Sequence, residues 1–333
     1  MTLDKIALDA MGGDDAPGAI VSGAVASLEG SQAIPAERVI LVGDEAAICA
    51  ELDRLGGNPG FEIQHAAEIV GMGEDPRRAM RAKPDNSISV SAQLVKEGRA
   101  VGLVSMGNTG MVVAASTLLL GRLPGIRMPA IAVTVGFTGH PMVIVDMGAN
   151  VDASAENLLH NGMMGSIFAQ DILGIEAPRV ALLNVGEEAE KGPKRFKEAH
   201  QLLTEGCAGF VGNIEGGGIF GATTDVIVTD GFTGNVMLKL LEQFGEFVLS
   251  KVAESAQDAG LKISPEVFGP VIRDLDYAAY GGALLVGVDG VVVIGHGKSD
   301  PRAVSNALKQ AARAADAEIN KHIIAGLEAS GIS

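Results

Sequence analysis

The sequence predicts an α/β protein, a layered αβα arrangement around a mostly parallel sheet. Three observations carry this. Short β-branched apolar runs alternate with longer helical patterns along the 333 residues. One such run, Val226 to Val228, is short, β-branched and apolar, which reads as a buried strand. Finally, there are 45 glycines, far above the usual ~7%. They gather with Asn and Asp where strand patterns end, which describes many tight βα turns.

In chain order, Ile6-Ala-Leu8 is the first strand and runs into Asp9-Ala-Met-Gly-Gly-Asp14-Asp15, with Pro17 at a helix start. Val39 to Val42 is the second strand, before Gly43-Asp44. Phe61 to His65 is the third, where His65 alternates with apolar neighbours and reads as structural. Asp75 to Asp85 holds the first basic concentration, with Arg77, Arg78 and Arg81 on one helix face. A helix from Ser87 to Gly98 precedes the strand Val101 to Val104, the turn Ser105-Met-Gly-Asn-Thr-Gly110 and an apolar helix from Met111 to Leu120. Ile131 to Val135 and Met142 to Val145 make a hairpin-like pair that ends in Asp146-Met-Gly-Ala-Asn150. A helix from about Ala155 to Leu173 leads to the strand Arg179 to Leu183 and then to Asn184 through Arg195, the second basic concentration.

Ala208 to Val211 is a strand ending in Gly212-Asn-Ile-Glu-Gly216. Val226 to Val228 passes through Thr229-Asp-Gly-Phe-Thr-Gly-Asn235 into a long amphipathic helix reaching about Asp258, with Thr233 or Asn235 as candidate N-cap. Met237, Leu241, Phe244, Val248 and Val252 line its apolar face. Ala283 to Val286 and Val291 to Ile294 read as a hairpin closing on Gly295-His296-Gly297. Asp300 caps the last helix, with Pro301 in its first turn and a buried stripe from Val304 to Ile323. Residues 1–333 are read as a single α/β catalytic domain with a helical segment protruding at about 235–275.

In parallel sheets ligands bind beyond the carboxyl ends of the strands. The turns Asp9–Asp14, Ser105–Gly110, Asp146–Asn150, Asn184–Lys191, Gly212–Gly216 and Asp230–Asn235 are therefore expected to share one cleft. Strand-to-helix turns of this kind aim backbone N–H groups at an anion, phosphate above all. A net charge of −16, no Trp and only two Tyr argue against a nucleic-acid partner. Cys49 and Cys207 stand without CxxC or metal-ligand spacing and read as reduced thiols of a cytoplasmic protein, with no metal and no cofactor expected. The N-terminus enters a strand pattern directly, with no signal peptide. No apolar run approaches the ~20 residues of a membrane span. The lack of GxGxxG with a distal acidic residue disfavours a nicotinamide dehydrogenase.

Taken together and in order, the turns resemble those of the bacterial phosphate acyltransferase family. The carrying motifs are Asp9-Ala-Met-Gly-Gly-Asp14, Arg81-Ala-Lys-Pro-Asp85, Gly107-Asn-Thr-Gly110, Asp146-Met-Gly-Ala-Asn150 and Gly186-Glu-Glu-Ala-Glu-Lys-Gly192. They continue as Gly212-Asn-Ile-Glu-Gly216, Thr229-Asp-Gly-Phe-Thr-Gly-Asn235, Tyr280-Gly-Gly282 and His296-Gly297, covering about residues 4 to 320. Gly217-Gly218 stand where an Arg-Asp pair is usual, Met106 where a small residue is, Leu284 for a proline and Lys298 for a serine. The resemblance implies transfer of a long-chain acyl group from acyl carrier protein to inorganic phosphate. The acyl phosphate formed feeds phosphatidic acid and phospholipid synthesis. It also implies a homodimer, and a fold similar to isocitrate/isopropylmalate dehydrogenases and phosphate acetyltransferases.

In that reaction a phosphate oxygen attacks a thioester carbonyl. Positioning phosphate and stabilising the oxyanion then suffice, without a Ser or Cys nucleophile. The expected phosphate and oxyanion contacts are Lys83, Asn108, Thr109, Asn150, Asn213, Asn235 and Lys191. Asp230 is expected to orient a lysine or His296, and His296 to protonate the departing thiolate. Carrier protein is acidic by the same resemblance, so docking needs a local basic patch: Arg77, Arg78 and Arg81, ahead of Lys191, Lys194, Arg195 and Lys197. Around Leu249, Leu261, Ile263 and Phe268 an apolar tip is expected to dip reversibly into lipid, while the first turns of its helix meet the partner subunit. The protein would then be cytoplasmic and peripherally membrane-associated. The rival readings are a phosphate acetyl- or butyryltransferase using short acyl-CoA, and a non-catalytic membrane-docking scaffold.

Overall fold

The unbroken apolar runs of the sequence are strands buried on both faces. The structure, a computed structural model, describes residues 4–30, 32–136, 139–261 and 281–331. They fall into two compact units, Met1–Pro129 with Ala278–Ser333, and Ala130–Tyr277.

In the first unit, β1 (Ile6–Asp9), β2 (Val39–Gly43), β3 (Glu62–His65), β4 (Gly102–Ser105), β10 (Ala283–Val286) and β11 (Val291–Ile294) lie in the order β3-β2-β1-β4-β11-β10. All neighbours pair in parallel except the hairpin β10–β11. Every residue of β1, β2, β4 and β11 is buried, whereas the edge strand β3 shows Glu62 and Gln64 beside Ile63. The chain runs outward from β1 through β2 to β3 and then returns to β4 on the other side of β1. The carboxyl ends of β1 and β4 therefore flank the point where the winding reverses, the place where open α/β sheets bind ligands.

The helices of this unit are α1 (Gly18–Ala26), α2 (Glu45–Arg54), α3 (Pro76–Ala82), α4 (Ser87–Lys96), α5 (Thr109–Ala115), α9 (Pro301–Asp316) and α10 (Ile319–Ala329). Local chemistry starts them: Asp44, Asp75, Asn86, Asn108 and Asp300 each accept a backbone N–H as N-cap. α1 and α9 pack so closely that a Cβ on Gly23 would collide with Val304. The last helix is expected unbroken, but it divides because Glu318 takes a left-handed conformation (φ 51°) between α9 and α10. α5 continues into a wider π turn over Ser116–Leu120.

The second unit arranges β5 (Ala130–Val135), β6 (Met142–Val145), β7 (Val180–Leu183), β8 (Phe210–Ile214) and β9 (Val226–Val228) as β5-β6-β9-β7-β8. β5 and β6 are the antiparallel pair, and the rest are parallel. Its helices are α6 (Ala155–Leu173), α7 (Lys194–Gly206) and α8 (Gly231–Asp258). α6 opens on a capping box formed by Ser154 and Asn157 and closes on Gly174 in the left-handed conformation (φ 71°). α8 departs from expectation in being capped by Asp230 rather than Thr233 or Asn235. Apolar side chains along it are left open by the rest of the described chain. Phe232, Val236, Leu240, Phe244 and Phe247 are all more than half exposed. Ile263, Phe268 and Tyr280 lie outside the described residues.

Candidate active site

At the end of β1 the carboxylate of Asp9 is fully buried. Its Oδ2 accepts the hydroxyl of Ser105, at the end of β4, at 2.6 Å, and its Oδ1 accepts Met11 N–H at 3.1 Å. Ser105 Oγ in turn accepts Gly107 N–H at 3.0 Å. Burial pushes the Asp9 carboxyl above the usual carboxylate range, against the pull of these donors. A Cβ on Gly12 would collide with Asp9 Oδ2 and come within 2.7 Å of Gly107 N, so only glycine lets the two turns meet.

Asn108 sits just beyond, 7% exposed, and its side chain is committed. Oδ1 caps α5 through Met111 N–H at 3.0 Å. Nδ2 holds the carbonyls of Met72 and Glu74 at 2.9 and 3.0 Å, with Gly71 O at 3.3 Å. Lys83 fastens the same loop from the other side, donating to Glu74 Oε1 at 2.6 Å and Ile69 O at 2.7 Å. Thr109 is exposed in the first turn of α5. Arg77, Arg78 and Arg81 are exposed on α3, with no ion pair among the described residues.

His296 follows β11 and is exposed. Its Nδ1 accepts Lys298 N–H at 3.1 Å, so the neutral ring carries its proton on Nε2 and presents a donor there. Asp14 N–H donates to Gly297 O at 2.7 Å, tying the first loop to this one.

The second unit has its own strand-end cluster. Asp146, after β6, is fully buried and takes four backbone N–H groups: Ile131 at 2.9 Å, Gly148 at 3.0 Å, Ala149 at 2.9 Å and Asn150 at 2.7 Å. Burial again pushes the carboxyl up, opposed by these donors. α8 is pressed against this turn. A Cβ on Gly231 would lie 2.8 Å from both Asn150 O and Asp146 Oδ2, and one on Gly234 would collide with Asp146 O.

Asp230, 2% exposed, caps α8 by accepting Thr233 N–H at 2.7 Å, and its other oxygen accepts Arg195 Nη2 at 2.7 Å. Arg195 also reaches Asp152 at 3.2 Å, and its buried Nε has no partner among the described residues. Asp230 therefore orients an arginine of α7 rather than a lysine or His296. The sequence shows Arg195 only as part of a basic run.

Several turn N–H groups face inward: Met11 N–H is taken by Asp9, those of Gly148, Ala149 and Asn150 by Asp146, and Thr233 N–H by Asp230. Asn150 holds its own turn, its Nδ2 reaching Asn157 Oδ1 at 3.4 Å. Asn213 donates to Glu188 O at 2.8 Å and faces His200 Nδ1 at 3.0 Å, fixing the 184–192 loop. Lys191 is exposed on that loop, 3.7 Å from Glu188. Asn235 differs from the other asparagines: it lies over Gly148, half-buried, with no side-chain hydrogen bond among the described residues. At Gly217 a Cβ would meet nothing within 4 Å, so the position has room for a longer side chain. The Cys207 thiol is buried and pushed up to about 12, which makes it inert as a nucleophile at neutral pH.

Comparison with known proteins adds to this geometry. The sequence model of a family described as fatty acid synthesis protein matches residues 4–322. A phosphate acyltransferase from Exiguobacterium sp. is 43% identical over 326 residues, covering 96% of this chain and 98% of the relative. One from Heliobacterium modesticaldum is 44% identical over 335 residues, with 96% and 97% covered. Among solved structures, a phosphotransacetylase from Streptococcus pyogenes superposes with a TM-score of 0.61 at 19% identity, covering 94% of each chain. A 4-hydroxythreonine-4-phosphate dehydrogenase from Klebsiella pneumoniae gives 0.53 at 13% identity, over 96% and 99%. The fold is thus that of the phosphotransacetylases and of a dehydrogenase relative, as the sequence leads one to expect.

Proposed function

The chain belongs to the phosphate acyltransferase family, and on that footing we propose that it moves a long-chain acyl group from acyl carrier protein onto inorganic phosphate. The observation that carries this is relatedness above 40% along nearly the whole chain to proteins named phosphate acyltransferase. A phosphate oxygen attacks the thioester carbonyl, the carbon–sulfur bond breaks, and acyl phosphate and the carrier thiol leave.

Each unit supplies groups suited to part of this. Asn235, with its amide uncommitted, meets phosphate or the oxyanion, and Arg195, held by Asp230, supplies positive charge to the same cluster. His296 offers Nε2–H as a hydrogen-bond donor to the departing sulfur, and the proton that completes the carrier thiol comes from the attacking hydrogen phosphate. Lys191, exposed beside Glu188, is a further cation for phosphate. Asn108, Lys83 and Asn213 serve by fixing loops.

The exposed, unpaired Arg77, Arg78 and Arg81 are the docking patch for the carrier. The bare apolar face of α8 supports two further roles: its first turns cover a second copy of the chain, and the region from Leu249 to Leu261 touches lipid reversibly. Among the described residues no helix is long and apolar enough to cross a membrane. Liposome co-sedimentation that survives Leu261→Glu would rule out Leu261 as part of such a contact. Against the short acyl-CoA reading stands the fact that its structural support is likeness of fold alone, at 19% identity. Competition between acyl carrier protein and acyl-CoA as donors in acyl phosphate formation tests the choice. Preference for CoA would overturn the carrier assignment.

A further inference from the structure

The first unit contains a cavity of about 370 Å³ that the groups placed above leave unused. Its walls come from α3, α4, the end of β3 and the π turn after α5. Its size falls in the ~300–1,000 Å³ range of small-molecule sites. The apolar wall is Met80, Pro84, Val90, Leu94 and Leu119.

The polar residues on the rim are all occupied with other protein groups. Arg99 donates to Gln64 at 3.0 Å and to Glu62 at 2.7 Å. Gln93 donates to Glu97 at 2.9 Å, and Ser89 accepts from Asn86 at 2.9 Å. A cavity whose polar groups already satisfy one another selects an occupant that brings no hydrogen bonds of its own.

Its shape and position narrow the occupant further. The lining residues Ser89 to Glu97 run along α4, so the space follows about 12 Å of helix at ~1.5 Å per residue. The near end lies by the strand-end turns: Ser87, at the start of α4, is a hydrogen-bond partner of Asp9, and Pro76 at the start of α3 packs on Gly110. Met80 follows one turn later on α3, the helix that carries the free Arg77, Arg78 and Arg81.

We propose that this groove holds the aliphatic chain of the acyl substrate and sets its preferred length. The proposal rests on the acyltransferase reading and adds a specificity site to it. A donor docked by its anionic groups on the α3 arginines has an apolar slot beside the same helix, where Met80 lies. The chain enters from the Pro84 and Ser89 end and extends toward Leu94.

Filling the slot is the test. Gln93→Trp and Leu119→Trp each place a ring where the distal methylenes would lie. Acyl phosphate formation is measured with butanoyl and hexadecanoyl carrier-protein thioesters. At about fourfold per methylene displaced, kcat/KM for hexadecanoyl should fall at least about tenfold, and that for butanoyl should hold within about twofold. An unchanged ratio in folded variants, or an equal fall on both donors, overturns the proposal. A second measurement needs no variant: a hexadecanoyl thioester with a terminal diazirine is photolysed on the wild-type chain. Label within residues 80–99 or at Leu119 supports the groove, and label confined elsewhere overturns it. If the wild type forms no acyl phosphate from any thioester, the functional reading fails instead, and the labelling pattern still reports on the groove.

Discussion

Arg195 Nη2 lies 2.7 Å from Asp230 Oδ2, across 35 residues of sequence, and joins the start of α7 to the start of α8. The carboxylate is only 2% exposed, so the guanidinium is what makes its burial tolerable. Arg195→Ala should destabilise the protein by about 2 kcal/mol in urea unfolding. This is less than the ~3–5 kcal/mol of a fully buried pair, because the arginine side chain is 39% exposed. Asp230→Asn keeps an oxygen for Thr233 N–H and should cost less than Asp230→Ala, which also loses the cap at about 1 kcal/mol. If Arg195→Ala costs under about 0.5 kcal/mol, the pair behaves like an ordinary surface contact.

The asparagines should divide by the work their side chains do. Asn235→Ala is expected to raise the phosphate KM about tenfold, the value of a charge-assisted hydrogen bond of ~1.5 kcal/mol, with Tm unchanged. Asn108→Ala, which frees three loop carbonyls and uncaps α5, should lower stability by about 1–3 kcal/mol. Asn213→Ala should follow Asn108→Ala. Normal phosphate kinetics in Asn235→Ala would move the anion site away from this residue.

This division marks where the sequence stops being readable. Unbroken runs such as Val39–Val42 and Val226–Val228 announce buried parallel strands, because a strand covered on both faces has no polar side to show. Caps at Asp75 and Asp300 are local and can be read from a few residues. A glycine-flanked Asn looks the same whether it binds a ligand or ties a loop. Only the fold reveals that Asn108 reaches back to Met72 and Glu74, and Asn213 to Glu188. The Arg195–Asp230 pair is equally hidden, since nothing in a basic run says which cation finds a distant carboxylate.

Asp9 gives a pH signature. Its native carboxyl is held above the ordinary value of 3.8, mainly by burial, so the folded state keeps a proton that the unfolded chain releases. The stability conferred by protonated Asp9 is complete below 3.8 and is lost as pH rises through the raised native value. Asp9→Asn, neutral at every pH, should therefore gain on the wild type as pH climbs from about 4 to 8 in urea unfolding. A difference that stays flat across the series would mean that Asp9 does not titrate above its unfolded value.

Arg78→Glu with Arg81→Glu should slow transfer from carrier-bound acyl groups by about tenfold or more, chiefly through KM, and spare a short pantetheine thioester. Both arginines are exposed, so stability should be unaffected. An equal loss on both donors would place the carrier elsewhere.

The central claim is the chemistry itself, and it is tested by incubating the purified chain with long-chain acyl carrier protein and inorganic phosphate while following ³¹P resonances and free carrier thiol. The expected result is an acyl phosphate signal that grows in step with thiol release, depends on added phosphate and is diminished in the Asn235→Ala variant. Thiol release that proceeds without phosphate, or no acyl phosphate at all, would contradict the assignment.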